Sequence, residues 1–189
     1  MPTRLFTVRH GETEWSRSGQ HTGRTDVPLT AAGRTAAQQL APQLGGHAFS
    51  LVLTSPLSRA RDTAALAGYP DAVVDPDLQE WDYGDYEGRT SVDILAGRPD
   101  WSLWDDGVPQ GESIAEVATR CDRVIARVRI ADGDVLAFAH GHVLRILAAR
   151  WIGQDPGFGR HLMLSPATIS ILASEHDVPA LEAWNASAY

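Results

Sequence analysis

Leu5-Phe6-Thr7-Val8-Arg9-His10-Gly11-Glu12-Thr13 decides how this chain is read. The apolar run over residues 5–8, within a strand read over residues 4–8, ends in an arginine, a histidine and a glycine, and polar residues follow. That arrangement puts reactive side chains at a strand end. A short motif is weak evidence alone, but the apolar run over residues 135–139 also ends in His140-Gly141. Parallel strands share one carboxyl edge, where open α/β proteins bind ligands. The two histidines are therefore expected to meet.

With 189 residues, 43% of them hydrophobic, the chain suits one well-buried core and a single domain over residues 1–189. No apolar run approaches a membrane span, and no basic segment followed by an apolar one opens the chain. The expectation is a soluble, cytoplasmic protein with no membrane partner. Cys121 is the only cysteine, so no internal disulfide can form, and its apolar neighbours make it a core residue. A formal charge of -8 argues against a nucleic-acid partner, since such surfaces neutralise many phosphates. A small anion remains compatible if arginines gather in one pocket. All sixteen basic residues are arginine and lysine is absent. Schiff-base chemistry and a lysine-dependent phosphate loop are thereby excluded. A homo-oligomer stays open.

Residues 11–29 are too rich in glycine, hydroxyl and charged residues for a regular element, and read as a long loop. Thr30 caps a helix reaching about Leu44, ended by Gly45-Gly46. Residues 51–54 form a short buried strand, and Ser55-Pro56 opens a helix with Arg59 in its first turn. A cation there opposes the helix dipole, so Arg59 is expected to do something other than stabilise the helix. Val73-Val74 is a brief strand, residues 78–88 an acidic, aromatic loop, and residues 91–97 a short helix. Residues 99–110, with two tryptophans and two prolines, read as an irregular cover over one end of the sheet. Ser113 and Glu116 have capping-box spacing, and a helix follows whose apolar face repeats every three or four residues. Its opposite face carries Arg120, Arg123 and Arg127, read as solvated. Residues 143–151 form a helix. Residues 162–164 and 168–173 are read as two strands turned tightly at Ser165-Pro166, hence antiparallel, with residues 180–184 a last strand. His47, His161 and His176 are read as surface residues.

Several blocks together resemble the histidine phosphatase (phosphoglycerate mutase-like) superfamily: Arg9-His10-Gly11-Glu12-Thr13, Ser55-Pro56-Leu57-Ser58-Arg59-Ala60, Glu80 before an aromatic and glycine stretch, Gly111-Glu112-Ser113, and His140-Gly141. Closer still is the fungal sedoheptulose-1,7-bisphosphatase type, through residues 14–20, 25–30 and 78–88 and the run from Phe138 to Arg145. The expected fold is α/β, a three-layer sandwich with a mostly parallel central sheet, helices on both faces and an antiparallel C-terminal edge.

By that resemblance the chain is a metal-independent phosphomonoesterase that needs no cofactor and acts on a small phosphorylated metabolite of the sugar-phosphate class. His10 takes the phosphoryl group, while Arg9, Arg59 and His140 hold its oxygens. Glu80 protonates the leaving alkoxide; burial beside Trp81 and Tyr83 favours its protonated form and nearby arginines oppose that. The substrate-binding set is Ser16, Gln20, His21, Thr22, Trp81, Tyr83, Gly141 and Arg145. At His21 the fungal type has tyrosine, and its C-terminal substrate contacts have no counterpart here. Arg145 either binds a distal phosphate or pairs with a carboxylate. Three other readings remain. A mutase conflicts with Trp81, because phosphoglycerate mutases carry arginine there. A non-catalytic module conflicts with the intact set of five, and a metal site at His140 and His142 lacks a carboxylate cluster.

Overall fold

A computed structural model describes residues 3–187. Its sheet has the order β3-β2-β4-β1-β5-β6, built from β1 (Leu5–Arg9), β2 (Leu51–Thr54), β3 (Val73–Val74), β4 (Val135–Ala139), β5 (Thr168–Glu175) and β6 (Val178–Ser187). The first four strands run parallel and the last two are antiparallel, as expected. Period-2 alternation explains why helices cover both faces. Leu5, Val135 and Ala137 face one core with Val117, Val124 and Leu147, from α7 (Ile114–Arg129) and α8 (Gly141–Trp151). Phe6, Val8, Leu136 and Phe138 face the other. There they meet Leu40, Leu44 and Ala64, from the segment of α2 (Ala31–Gln39), α3 (Ala41–Leu44) and α4 (Ser58–Leu66).

β4 inserts between β1 and β2, and Arg9 stands opposite Ala139 in the β1–β4 register. The next residue of each strand is a histidine. His10 N–H donates to Ala139 O at 2.9 Å, and the His10 and His140 rings lie 5.1 Å apart. The close approach behind His10 needs glycine twice. A Cβ on Gly11 would stand 2.5 Å from Gly33 O, and one on Gly33 would stand 2.2 Å from Glu12 O.

Several local expectations are corrected. The polar stretch after Gly11 contains a short helix, α1 (Glu14–Ser18), because Thr13 and Ser16 form a reciprocal capping box. The helix expected from Thr30 to Leu44 breaks at Leu40, where Pro42 enters the first turn of α3 and cannot donate to a preceding turn. Residues 162–164 are not a strand; they follow a 3-10 turn, Pro156–His161. The tight antiparallel turn is instead at His176-Asp177 between β5 and β6, both with positive φ (48° and 66°) as a primed hairpin turn requires. α8 begins at Gly141, two residues earlier than read. Arg120 is not solvated but 6% exposed. Short helices α5 (Ser91–Gly97) and α6 (Leu103–Asp106) lie in the segment that covers the sheet's carboxyl edge. Among the described residues no helix is long and apolar enough to cross a membrane.

Candidate active site

A cavity of about 490 Å³ opens at the carboxyl edge of the parallel strands. Arg9, His10 and Glu80 lie on its wall. So do seven of the expected substrate-binding residues: Ser16, Gln20, His21, Thr22, Tyr83, Gly141 and Arg145. Trp81 is the exception, since it is wholly buried and donates from its indole to Glu112 O at 2.7 Å. Its place is behind Tyr83, with the two rings stacked 6.4 Å apart. Arg59 and His140 are likewise fully buried and stand behind His10 rather than on the wall.

His10 Nδ1 is 2.7 Å from Gly11 O. A carbonyl can only accept, so Nδ1 carries the proton and Nε2 keeps its lone pair. Burial, followed by the charges of Arg59 and Arg9, holds the imidazole well below its ordinary pKa. A neutral ring with a free Nε2 is a nucleophile at neutral pH. The same logic orients His140. Arg59 Nε–H donates to its Nδ1 at 3.1 Å, so Nε2 donates to Ser55 Oγ at 2.7 Å. Burial, then Arg59 and His10, keep that ring neutral too.

Arg59 sits in the first turn of α4, whose N-terminus lacks a side-chain cap of its own. Asp26 supplies one from across the cleft by accepting from Ser58 N and Ser58 Oγ. The Arg59 guanidinium also donates to Thr22 O, Gly23 O and Thr25 O. Glu87 accepts from Gly23 N and Thr25 N, so the loop over residues 22–25 is held from two sides. Arg9 differs. Its Nη1 donates to Leu164 O at 2.5 Å, and among the described residues its Nη2 has no hydrogen-bond partner, leaving donor capacity for an anion entering beside His10.

Glu80 spans the site. Its Oε1 accepts from Trp81 N and Val143 N, both at 2.9 Å, and its Oε2 from His142 N at 3.0 Å. The two α8 donors are orphan N–H groups of a helix N-terminus, available because that helix starts at Gly141. Arg120 fixes the same loop from beneath. It donates to Asp77 O, Gln79 O and Glu80 O, and two further bonds reach the Glu112 carboxylate. Glu112 in turn accepts from Asp82 N.

Sequence reading has Ser55 and Glu112 only as parts of motifs, His142 as a metal candidate and Arg120 as a solvated residue, and it assigns no site role to Trp101 or Trp104; of these His142, Trp101 and Trp104 lie on the cavity wall. For Arg120 the arginine periodicity misled, because a helix face looks polar whether it meets solvent or buried carbonyls. For Trp101 and Trp104 a signal existed: two tryptophans three apart in an otherwise polar, proline-bearing cover. Arg145 has no carboxylate partner among the described residues. It donates to Gly159 O and Arg160 O and lies 4.7 Å from the Trp104 ring centre. No three His, Cys, Asp or Glu side chains among the described residues group as metal ligands.

The family model described as histidine phosphatase superfamily (branch 1) matches residues 5–187. An acid phosphatase of Mycobacterium tuberculosis is 43% identical over 183 residues, covering 94% of this chain and 90% of the relative. Sedoheptulose 1,7-bisphosphatase of Saccharomyces cerevisiae is 39% identical over 183 residues, covering 79% of this chain and 68% of the relative. A solved structure of a Mycobacterium tuberculosis open reading frame product superposes with a TM-score of 0.94 at 40% identity, over 99% of each chain.

Proposed function

The chain belongs to the histidine phosphatase superfamily, and from that premise we propose that it is a metal-independent phosphomonoesterase working through a phosphohistidine at His10. The relatives named as phosphatases support hydrolysis as the reaction class. One observation carries the mechanism: His10 Nδ1 lies 2.7 Å from Gly11 O, which leaves Nε2 free on a ring that lines the cavity with Arg9 and Glu80.

His10 Nε2 attacks phosphorus as the ester P–O bond breaks. Glu80, protonated at that moment, passes its proton to the departing alkoxide. A water then attacks the phosphohistidine, Glu80 takes its proton, and inorganic phosphate leaves as the P–N bond breaks. Phosphoryl transfer depends mainly on positioning and charge stabilisation. Arg9 meets the phosphoryl oxygens first, each charge-assisted bond contributing about 1.5 to 3 kcal/mol. Arg59 acts by its charge and by fixing His140 and the loop over residues 22–25. The substrate class is a small phosphorylated metabolite of the sugar-phosphate kind, supported by the yeast relative and by the size and polar aromatic lining of the cavity.

A phosphate-labelled substrate, stopped by denaturing quench, tests the reading. Wild type should retain acid-labile label on a histidine and release inorganic phosphate. His10→Ala should do neither. Normal turnover by His10→Ala would sink the mechanism, and isomerised ester in place of free phosphate would make the chain a mutase.

A further inference from the structure

His142 has no part in the steps above. It lies in the first turn of α8, half-buried, on the cavity wall beside Arg145. Its ring centre is 5.8 Å from that of Tyr83 and 5.4 Å from that of Trp104. Tyr83 Oη stands 2.6 Å from His142 Nδ1. The phenol is 2% exposed and has one hydrogen. Among the described residues Nδ1 is the only acceptor it meets, and buried donors take such acceptors. Enclosure by protein, then Arg145, His21 and Arg9, hold His142 well below its ordinary pKa, so Nδ1 has a lone pair to offer. Tyr83 is held protonated, chiefly by burial and then by Glu80.

A neutral imidazole that accepts at Nδ1 carries its proton on Nε2. Among the described residues that Nε2–H has no protein partner. It is also absent from the buried unpartnered side-chain atoms, which among the described residues are Thr7 Oγ1 and Arg9 Nε alone. The remaining donor of a cavity-lining ring therefore opens on the cavity. Around it stand Tyr83, His21, Trp101 and Trp104, with His21 4.8 Å from Tyr83 and 5.8 Å from Trp101. Flat, amphipathic walls of this kind suit the C–H faces and hydroxyl edges of a polyol.

We propose that Tyr83 and His142 form a hydroxyl-reading pair, in which Tyr83 fixes the tautomer and His142 Nε2–H donates to a hydroxyl oxygen on the leaving-group side of the substrate. The proposal rests on the phosphomonoesterase reading and adds to it a specificity-determining residue and the chemical group it recognises. A neutral donor suits a hydroxyl; a second anion would be drawn to the Arg145 guanidinium instead.

The test compares kcat/KM for sn-glycerol 3-phosphate and n-propyl phosphate, which share a three-carbon ester and differ in hydroxyls. General damage to the cavity cancels in their ratio. The ratio should favour glycerol phosphate in wild type, fall about tenfold in His142→Phe, and recover in His142→Gln, whose amide supplies an N–H. Tyr83→Phe, which frees the tautomer, should lower it too. Imidazole 15N NMR of wild type should show the Nε2-protonated form. An unchanged ratio in His142→Phe overturns the proposal, as does a wild-type ratio near one or an Nδ1-protonated ring. Wild-type inactivity on both esters and on p-nitrophenyl phosphate overturns the phosphomonoesterase reading and the pair's substrate role with it. Activity on p-nitrophenyl phosphate without discrimination overturns the pair alone.

Discussion

Replacing Arg120 by methionine should both destabilise the protein and weaken catalysis. The guanidinium donates to Asp77 O at 2.8 Å, Gln79 O at 2.5 Å and Glu80 O at 3.1 Å, and to Glu112 at 2.9 and 3.0 Å. Methionine keeps the aliphatic bulk and removes every donor. Three carbonyls lose their partner, and the Glu112 carboxylate keeps only Asp82 N. Breaking a buried ion pair from one side costs about 3–5 kcal/mol. Side-chain exposure of 8% for Arg120 and 21% for Glu112 places this one near the lower end, about 3 kcal/mol. For a chain of this size that lowers Tm by roughly 10 °C. The loop carrying Glu80 also loses its anchor, so kcat should fall on the order of tenfold or more, below a ceiling of about 10²- to 10⁴-fold for the whole general-acid effect. Thermal melts by circular dichroism and steady-state kinetics on an alkyl phosphate read both quantities. A double-mutant cycle with Glu112→Gln should show the two changes to be non-additive. A melt within about 2 °C of wild type, with kcat intact, would refute the view that Arg120 holds the loop.

Three further outcomes follow from the site. Glu80→Gln should lower kcat about 10²- to 10⁴-fold on alkyl phosphates and much less on p-nitrophenyl phosphate, whose leaving group needs no proton; equal losses on both would contradict its role as acid. His10, His140, His142 and His21 are all held below the ordinary histidine pKa, with burial the first cause of each. The folded chain then binds fewer protons than the unfolded chain below about pH 6.5. Stability should be complete above that pH and fall on acidification towards pH 5, by up to about 1.4 kcal/mol per pH unit for each histidine in its window. Denaturant melts between pH 8 and 5 check this, and a flat profile contradicts it. Cys121 is buried and its thiol is pushed up to about 12, so the native protein should resist a thiol reagent that labels it fully after unfolding. Rapid native labelling would show the thiol to be accessible.

The core was legible because alternation is local: Leu5 and Phe6, or Leu136 and Ala137, must face opposite sides of any sheet that contains them. The long capped helix after Ser113 was legible for the same reason. Arg120 was not, because the carbonyls it binds lie some forty residues away in sequence. The start of α8 was missed because Gly141 and His142 have no strong helical preference, and their place in a helix depends on a carboxylate brought from Glu80.

From its residues alone, this protein's chemistry was narrowed away from lysine and cysteine, because lysine is absent and the cysteine lies on an apolar helix face; the choice of His10 and Glu80 came from the family resemblance of their motifs. Its strand ends were also set, since apolar runs stop where polar side chains begin. The tertiary structure decided which of those groups face the cavity. β4 enters between two strands laid down long before it, and only that insertion brings His140 behind His10, buries Arg59 and turns the first turn of α8 towards Glu80. Such placements depend on pairings between segments far apart in sequence, from 62 residues for Glu80 and His142 and 81 for Arg59 and His140 to the β1–β4 register that joins Arg9 to Ala139, and no local pattern of side chains encodes them.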